Sequence, residues 1–306
     1  MFKVLVSDKM DEDALKILEN DSEIELTVKT SLSIEELREE IKDKNAIIVR
    51  SATKVRKEII DNAPELKVIG RAGIGLDNID VEYAKSKGIK VLNTPGASSI
   101  SVAELTIALI LAASRKLAMS VRAFSSEPYK WIKKQMKGWE VFGKTLGIIG
   151  MGNIGKEVAK RASCFGMKVV GYDVYDFNVE NVEQVDLETL YKTADIITIH
   201  VPLLDSTKHM INDESISKMK DGVILVCAAR GGVIDEKALI RAIKNGKVRA
   251  AALDVFEKEP PEESNELLKL DNVILTPHVG ASTLEGQRRV GIEIANKVIK
   301  TLKELG

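Results

Sequence analysis

Two cysteines in 306 residues, Cys164 and Cys227, leave little for sulfur chemistry. Both sit in apolar stretches without metal-ligand spacing, which argues against a disulfide framework and against a zinc site. No bound metal is expected, and a reducing compartment suits the chain. Long hydrophobic runs are missing as well. The longest, LTIALILAA, is about half of the ~20 residues that a membrane span needs. Charges interrupt every apolar run of the first twenty residues, so no signal-peptide core is present. The expectation is a cytoplasmic protein with no membrane partner. Neither sign of charge dominates: 45 basic against 46 acidic residues give a net charge of -1. Without an overall positive field, nucleic acid is not an expected partner. Internal repeats of short period and low-complexity segments are also lacking.

What remains is a globular composition, 44% apolar and 30% charged, at a length that suits about two domains. Short β-branched runs alternate with helical periodicity from end to end, the pattern of parallel sheets with crossover helices. FKVLVS, IELTV, AIIVR, KVIGRA and KVLNT predict five strands before residue 95, enough for one small doubly wound sheet. TLGIIG, KVVGYD, IITIHV, GVILVC, RAAALDV and NVILTP predict six more, the number of the usual dinucleotide-binding sheet. Between the series, SSISVAELTIALILAASRKLAMS reads as one long, well-buried helix. After the last strand a terminal helix has no strand to feed, and the simplest arrangement packs it on the first domain. The predicted fold is therefore α/β with two doubly wound parallel-sheet domains. A flavodoxin-like domain of residues 1–98 and 284–306 is interrupted by a Rossmann domain of residues 99–283. Residues 122–143, with Trp131 and Trp139 among several lysines, fit neither sheet and read as an arm bearing a partner surface. The arm and the helix over 101–118 predict a homodimer through the cofactor domains.

The chemistry begins at GIIGMGNIGKEVAKRASCFGMKVVGYD, where Gly150, Gly152 and Gly155 form G-x-G-x-x-G between a strand and a helix. The next strand ends at Asp173, 18 residues past the last glycine, where an acid can bond the ribose hydroxyls. Gly150 permits the tight turn, Gly152 lets backbone approach a pyrophosphate, and Gly155 lets helix and strand pack closely. The amides of Asn153 and Ile154 at the helix N-terminus then face phosphate. Val174, Tyr175 and Asp176 bring no cation for a 2'-phosphate, so NAD is the expected cofactor.

Oxidation of a hydroxy acid needs a group for the hydroxyl proton and a cation for the carboxylate. Of three histidines, His200 ends a strand in ITIHVPLL and His278 follows one in ILTPHVGAST, while His209 lies in a polar loop. Strand carboxyl ends are where ligands bind in open sheets, which keeps the first two as candidates. Arg230 follows the strand GVILVC, and Glu259 lies in the loop segment DVFEKEPP.

GRAGIGLDNID, NTPGASSISVAEL, GIIGMGNIG, HVPL, ARGGVID, ALDVFEKEP and TPHVGAST follow one another across nearly the whole chain. In this order they resemble the D-isomer-specific 2-hydroxyacid dehydrogenases. The resemblance implies that Arg230 grips the substrate carboxylate, that His278 is the acid/base and that Glu259 is its partner. It implies that the amides of Gly73, Ile74 and Gly75 also contact the carboxylate. Asp254 would hold the nicotinamide carboxamide, while His200 and Pro202 lie in the segment lining the cofactor. VRSATKV and GRAGIGLDNID resemble the branch of the family whose substrate is a phosphorylated 2-hydroxy acid, with Arg50 and Arg71 on the phosphate and Ser51 among the substrate-binding residues. A reductase of glyoxylate or hydroxypyruvate is the main alternative, and an NAD-sensing binding protein of the same fold is another. Two positions depart from the common pattern, Cys227 and Ser98, where asparagine often stands. Some family members carry a C-terminal regulatory domain, which is not expected here because the sequence ends right after its last helix.

Overall fold

A computed structural model describes all of residues 1–306, which divide into two compact units. One is Met1–Ser99 with Ala281–Gly306, and the other is Ile100–Gly280.

The first unit holds strands β1 (Phe2–Val6), β2 (Ile24–Val28), β3 (Ala46–Val49), β4 (Val68–Arg71) and β5 (Lys90–Leu92). They form a parallel sheet of order β2-β1-β3-β4-β5. Its helices are α1 (Glu12–Glu19), α2 (Ile34–Glu40), α3 (Lys57–Asp61) and α4 (Val81–Ser86). Local sequence starts them: Asp11 accepts from the Asp13 amide, and Ser33 with Glu36 forms a capping box. The C-terminal helix, Leu284–Leu305, is capped by Thr283 and buries Val290, Ile294, Ala295, Val298 and Leu302 in the same core as Val4, Val6, Ile48 and Val68. Two glycines let it approach: a Cβ on Gly70 would lie 2.7 Å from Val298, and one on Gly291 2.8 Å from Ala14.

The second unit contains α5 (Ser99–Ser114, apart from its first residue), α6 (Leu117–Ala123) and α7 (Tyr129–Gln135). Then follow β6 (Thr145–Ile149), α8 (Asn153–Cys164), β7 (Lys168–Tyr172), β8 (Val182–Gln184), α9 (Leu187–Thr193) and β9 (Ile196–Ile199). The remainder is α10 (Asp213–Lys218), β10 (Val223–Cys227), α11 (Glu236–Lys244), β11 (Val248–Leu253) and β12 (Val273–Leu275). Its sheet is parallel, in the order β12-β11-β10-β9-β6-β7-β8. Strands β9 and β10 are buried along their whole length, as strands covered on both faces must be.

Three sequence expectations need correction here. The second sheet has seven strands, not six. The added edge strand β8 is only Val-Glu-Gln, too short and too polar to register as a β-branched run. The single long helix is two, because Lys116 adopts a left-handed conformation (φ 54°) and α6 starts beyond it. The Ser114 carbonyl freed by that break accepts the Trp139 N–H at 2.8 Å, a partner 25 residues away that local pattern cannot supply. Finally, Trp139 is not exposed on the arm. It is half-buried against the core of α5 and α8, and the Arg249 guanidinium lies 3.9 Å from its ring centroid.

Candidate active site

In the seven-stranded sheet the topology reverses between β6 and β9, and the glycine loop leaves β6 at that point. Gly150 has φ +97°, and a Cβ on it would lie 2.8 Å from the His200 carbonyl carbon at the end of β9. A Cβ on Gly155 would lie 2.1 Å from the Gly150 oxygen, so α8 can start this close to β6 only with glycine there. Gly152 differs: nothing lies within 4 Å of where its Cβ would be. The space above this N-cap of α8 is open, beside the helix turn that begins with Asn153 and Ile154. An open glycine at a helix N-terminus fits a pyrophosphate approached by backbone. At the end of β7 the Asp173 carboxylate is anchored by the Met151 amide at 2.7 Å and the Tyr175 amide at 3.2 Å. It thereby closes the glycine loop and is oriented to accept further donors.

Around β10, β11 and β12 the candidate residues for proton transfer come together. His278 Nδ1 lies 2.8 Å from Glu259 Oε2, and the second oxygen of that carboxylate accepts the Phe256 amide at 3.2 Å. With Nδ1–H donating to Glu259, the lone pair of a neutral ring is on Nε2, and the imidazole itself is exposed. Its backbone is left-handed, φ 53°. Asp254 holds that turn: its buried carboxylate accepts from Thr276 Oγ1 (2.6 Å) and from the amides of Val279 (2.9 Å) and Gly280 (2.8 Å). The Arg230 loop packs against the same segment, since a Cβ on Gly231 would lie 1.7 Å from the Phe256 oxygen. The Arg230 guanidinium donates to the Ala229 carbonyl at 2.7 Å. Three residues earlier Cys227 is buried at the end of β10, and burial pushes its thiol up to about 11, so it packs and does not react.

His200 takes no part in that group. Its Nε2 lies 2.9 Å from Thr198 Oγ1, and although the residue as a whole is half-buried, its Nδ1 is enclosed without a partner. Desolvation pushes its pKa down to about 3, so it stays neutral at working pH. Pro202 lies just beyond on the exposed loop, its carbonyl accepting from Thr207 Oγ1 at 2.6 Å. His209 pairs with Glu257 at 3.2 Å.

In the first unit Arg50 follows β3 and Arg71 ends β4, both half-buried. The Arg71 side chain folds back over Gly73, where a Cβ would lie 1.3 Å from its Nη1. The Gly73 amide is already taken by the Arg71 carbonyl at 2.9 Å, so this loop offers the amides of Ile74 and Gly75. The loop is tied to the segment after β5 through the Thr94 amide on the Gly73 carbonyl and Asn93 Nδ2 on the Ile74 carbonyl. Ser51 is exposed next to Arg50. Beneath the loop of Arg50 and Ser51 lies Asp8, for which an acid just past the first strand is the only sequence signal.

Residues 107–280 match the family described as D-isomer specific 2-hydroxyacid dehydrogenase, NAD binding domain. The chain belongs to the D-isomer-specific 2-hydroxyacid dehydrogenases. It is 55% identical over 304 residues to a hydroxypyruvate reductase of Thermotoga maritima, covering 98% of each chain. It is 53% identical over 310 residues to a D-3-phosphoglycerate dehydrogenase of Methanocaldococcus jannaschii, where it covers 99% of this chain but 58% of that protein. The chain thus spans little more than half the length of such relatives. A crystal structure of D-lactate dehydrogenase from Aquifex aeolicus, complexed with NAD and lactic acid, superposes with TM-score 0.83 at 34% identity, covering 98% of this chain and 96% of that one. This dehydrogenase uses NAD, and its two parallel-sheet domains are those of the family. No helix is long and apolar enough to cross a membrane.

Proposed function

We propose that this dehydrogenase oxidises D-3-phosphoglycerate to 3-phosphohydroxypyruvate, the first step toward serine. The observation that carries the reading is the placement of Arg50 and Arg71 at the carboxyl ends of neighbouring strands of one sheet, each beside a loop with uncommitted amides. A dianionic phosphate needs such dedicated cations, whereas an unphosphorylated acid of the same length does not. Hydroxypyruvate reduction is the second reading. It is favoured by the Thermotoga relative of that name, which matches over 98% of both chains. We further take the dehydrogenase to be a cytoplasmic homodimer.

In this reading Gly150, Gly152, Gly155, Asn153, Ile154 and Asp173 hold the dinucleotide, with His200, Pro202 and Asp254 nearby. When bound there, NAD would supply the acceptor for the hydride of the substrate carbon. Arg230, through its planar fork, holds the substrate carboxylate. His278 Nε2 takes the hydroxyl proton as the hydride departs, and the Glu259 carboxylate on Nδ1 stabilises the imidazolium that forms. In the reverse direction the same imidazolium returns its proton to the keto oxygen.

Steady-state kinetics with phosphohydroxypyruvate, hydroxypyruvate and glyoxylate test this. Removing one charge-assisted contact to the phosphate costs ~1.5–3 kcal/mol, or roughly ten- to more than a hundredfold. Arg50→Ala and Arg71→Ala should therefore raise KM for phosphohydroxypyruvate sharply and leave that for hydroxypyruvate nearly unchanged. An unchanged ratio in both variants would remove the phosphate assignment.

A further inference from the structure

In the five-stranded sheet the topology reverses between β1 and β3. Ligands of open α/β sheets bind outside the strand ends at such a point. Asp8, just past β1, bridges this one from beneath. Its buried carboxylate accepts the amides of Arg50 (2.5 Å) and Thr53 (3.2 Å) and the Thr53 hydroxyl (2.8 Å). Asn78, also buried, acts on the carbonyls of the same two residues: its Nδ2 donates to the oxygens of Arg50 and Thr53, both at 2.7 Å.

The loop 50–53 is thus tied inward at both ends, amide and carbonyl alike. Its middle is left outward: Ser51 and Ala52 are exposed, and their amides donate to nothing within the protein. With the two terminal carbonyls turned in, the two central amides are left over beside the Arg50 guanidinium, whose Nη1 donates to the Lys9 carbonyl at 3.2 Å. Backbone amides in this arrangement attract an anion. Asp8 itself would repel one, but three donors occupy its oxygens and it lies on the inner side.

We infer that Asp8, Thr53 and Asn78 are positioning residues that hold the loop of Arg50 and Ser51 as an anion cradle for the substrate. They act through the loop and touch no substrate themselves. The inference rests on the reading that this loop receives the phosphate of the substrate. Asp8→Asn would take away the charge that strengthens the bonds from the two amides, its Nδ2 meeting the Thr53 hydroxyl, and Thr53→Val would delete the hydroxyl contact at constant shape.

The test is steady-state kinetics on the full chain with phosphohydroxypyruvate and hydroxypyruvate, comparing Asp8→Asn, Thr53→Val and Arg50→Ala. Asp8→Asn is expected to raise KM for phosphohydroxypyruvate about tenfold, and Thr53→Val about threefold, the order of one hydrogen bond. kcat, and KM for NADH, should stay within about twofold of the parent. A merely structural role would do the reverse, lowering apparent kcat with the folded fraction and leaving KM unmoved. If Arg50→Ala raises KM and neither positioning variant does, the clamp is overturned and the phosphate reading stands. If all three raise KM equally for both substrates, the cradle holds the carboxylate common to them; the clamp then stands and the phosphate reading fails. No change in any variant overturns both. Should Asp8→Asn not fold, Thr53→Val decides alone.

Discussion

His278 and Glu259 stand 2.8 Å apart on separate loops, and the proposed proton transfer rests on this pair. Acid/base groups contribute typically ~10²–10⁴-fold, so His278→Ala should lower kcat by that factor with NADH binding intact by fluorescence titration. Glu259→Gln keeps the contact without the charge and should cost less. Retention of near-native turnover by His278→Ala would remove its assigned role. His200 makes a different prediction. Its folded pKa, about 3, lies below the ordinary 6.5, so it favours the folded state at pH above 6.5, and this contribution is lost as pH falls from there toward 3. His200→Gln should therefore reduce the loss of thermal stability between pH 6.5 and 4, measured by calorimetry. An unchanged acid slope would show that the ring is not desolvated as described.

At the scale of elements, the β6-turn-α8 unit is the least tolerant of change. A Cβ on Gly155 would fall 2.1 Å from a backbone oxygen, and backbone cannot yield as a flexible side chain does. Gly155→Ala should shift α8 off its strand, weakening NADH binding at least tenfold and lowering Tm by several degrees. Gly152→Ala meets nothing within the protein, so it should leave Tm unaltered while still impairing NADH binding. Calorimetry and NADH titration on the two variants separate packing from ligand approach. Loss of stability in both would contradict that division.

For the whole molecule, five of the exposed large apolar side chains lie on α6 and α7 and between them. Leu117, Val121, Phe124, Tyr129 and Trp131 are all exposed there. The rings of Phe124 and Tyr129 lie 6.4 Å apart, and exposed apolar side chains gathered on one short stretch point to an association site, for which two-fold dimers are the commonest solution. Light scattering should give twice the chain mass of 33.6 kDa. Val121→Asp should move the mass toward that of one chain, because an isologous contact places the new charge against the same patch twice. A monomer mass for the parent at micromolar concentration would refute the dimer.

The alternation of strands and helices was legible in the sequence because a fully paired parallel sheet demands unbroken β-branched runs, and β3, β9 and β10 supply them. The glycine loop was equally legible, since each glycine answers a local requirement of turn or approach. Edge strand β8, paired on one side only, needs no apolar run and left no such signal. The break after α5 depends on the Trp139 amide reaching the Ser114 carbonyl, and the burial of Trp139 on a guanidinium 110 residues away. His278 and Glu259, identified from family motifs, acquire a measurable relation only when β11 and β12 end side by side. Asp8 and Asn78 look like ordinary polar residues along the chain. They become a clamp because parallel pairing sets β1 beside β3, and the hydrogen-bonding needs of a buried carboxylate and amide are then met by the loop between them. The sequence by itself determined which segments pair and which loop can meet a dinucleotide, whereas only the tertiary structure decided which distant polar groups satisfy one another.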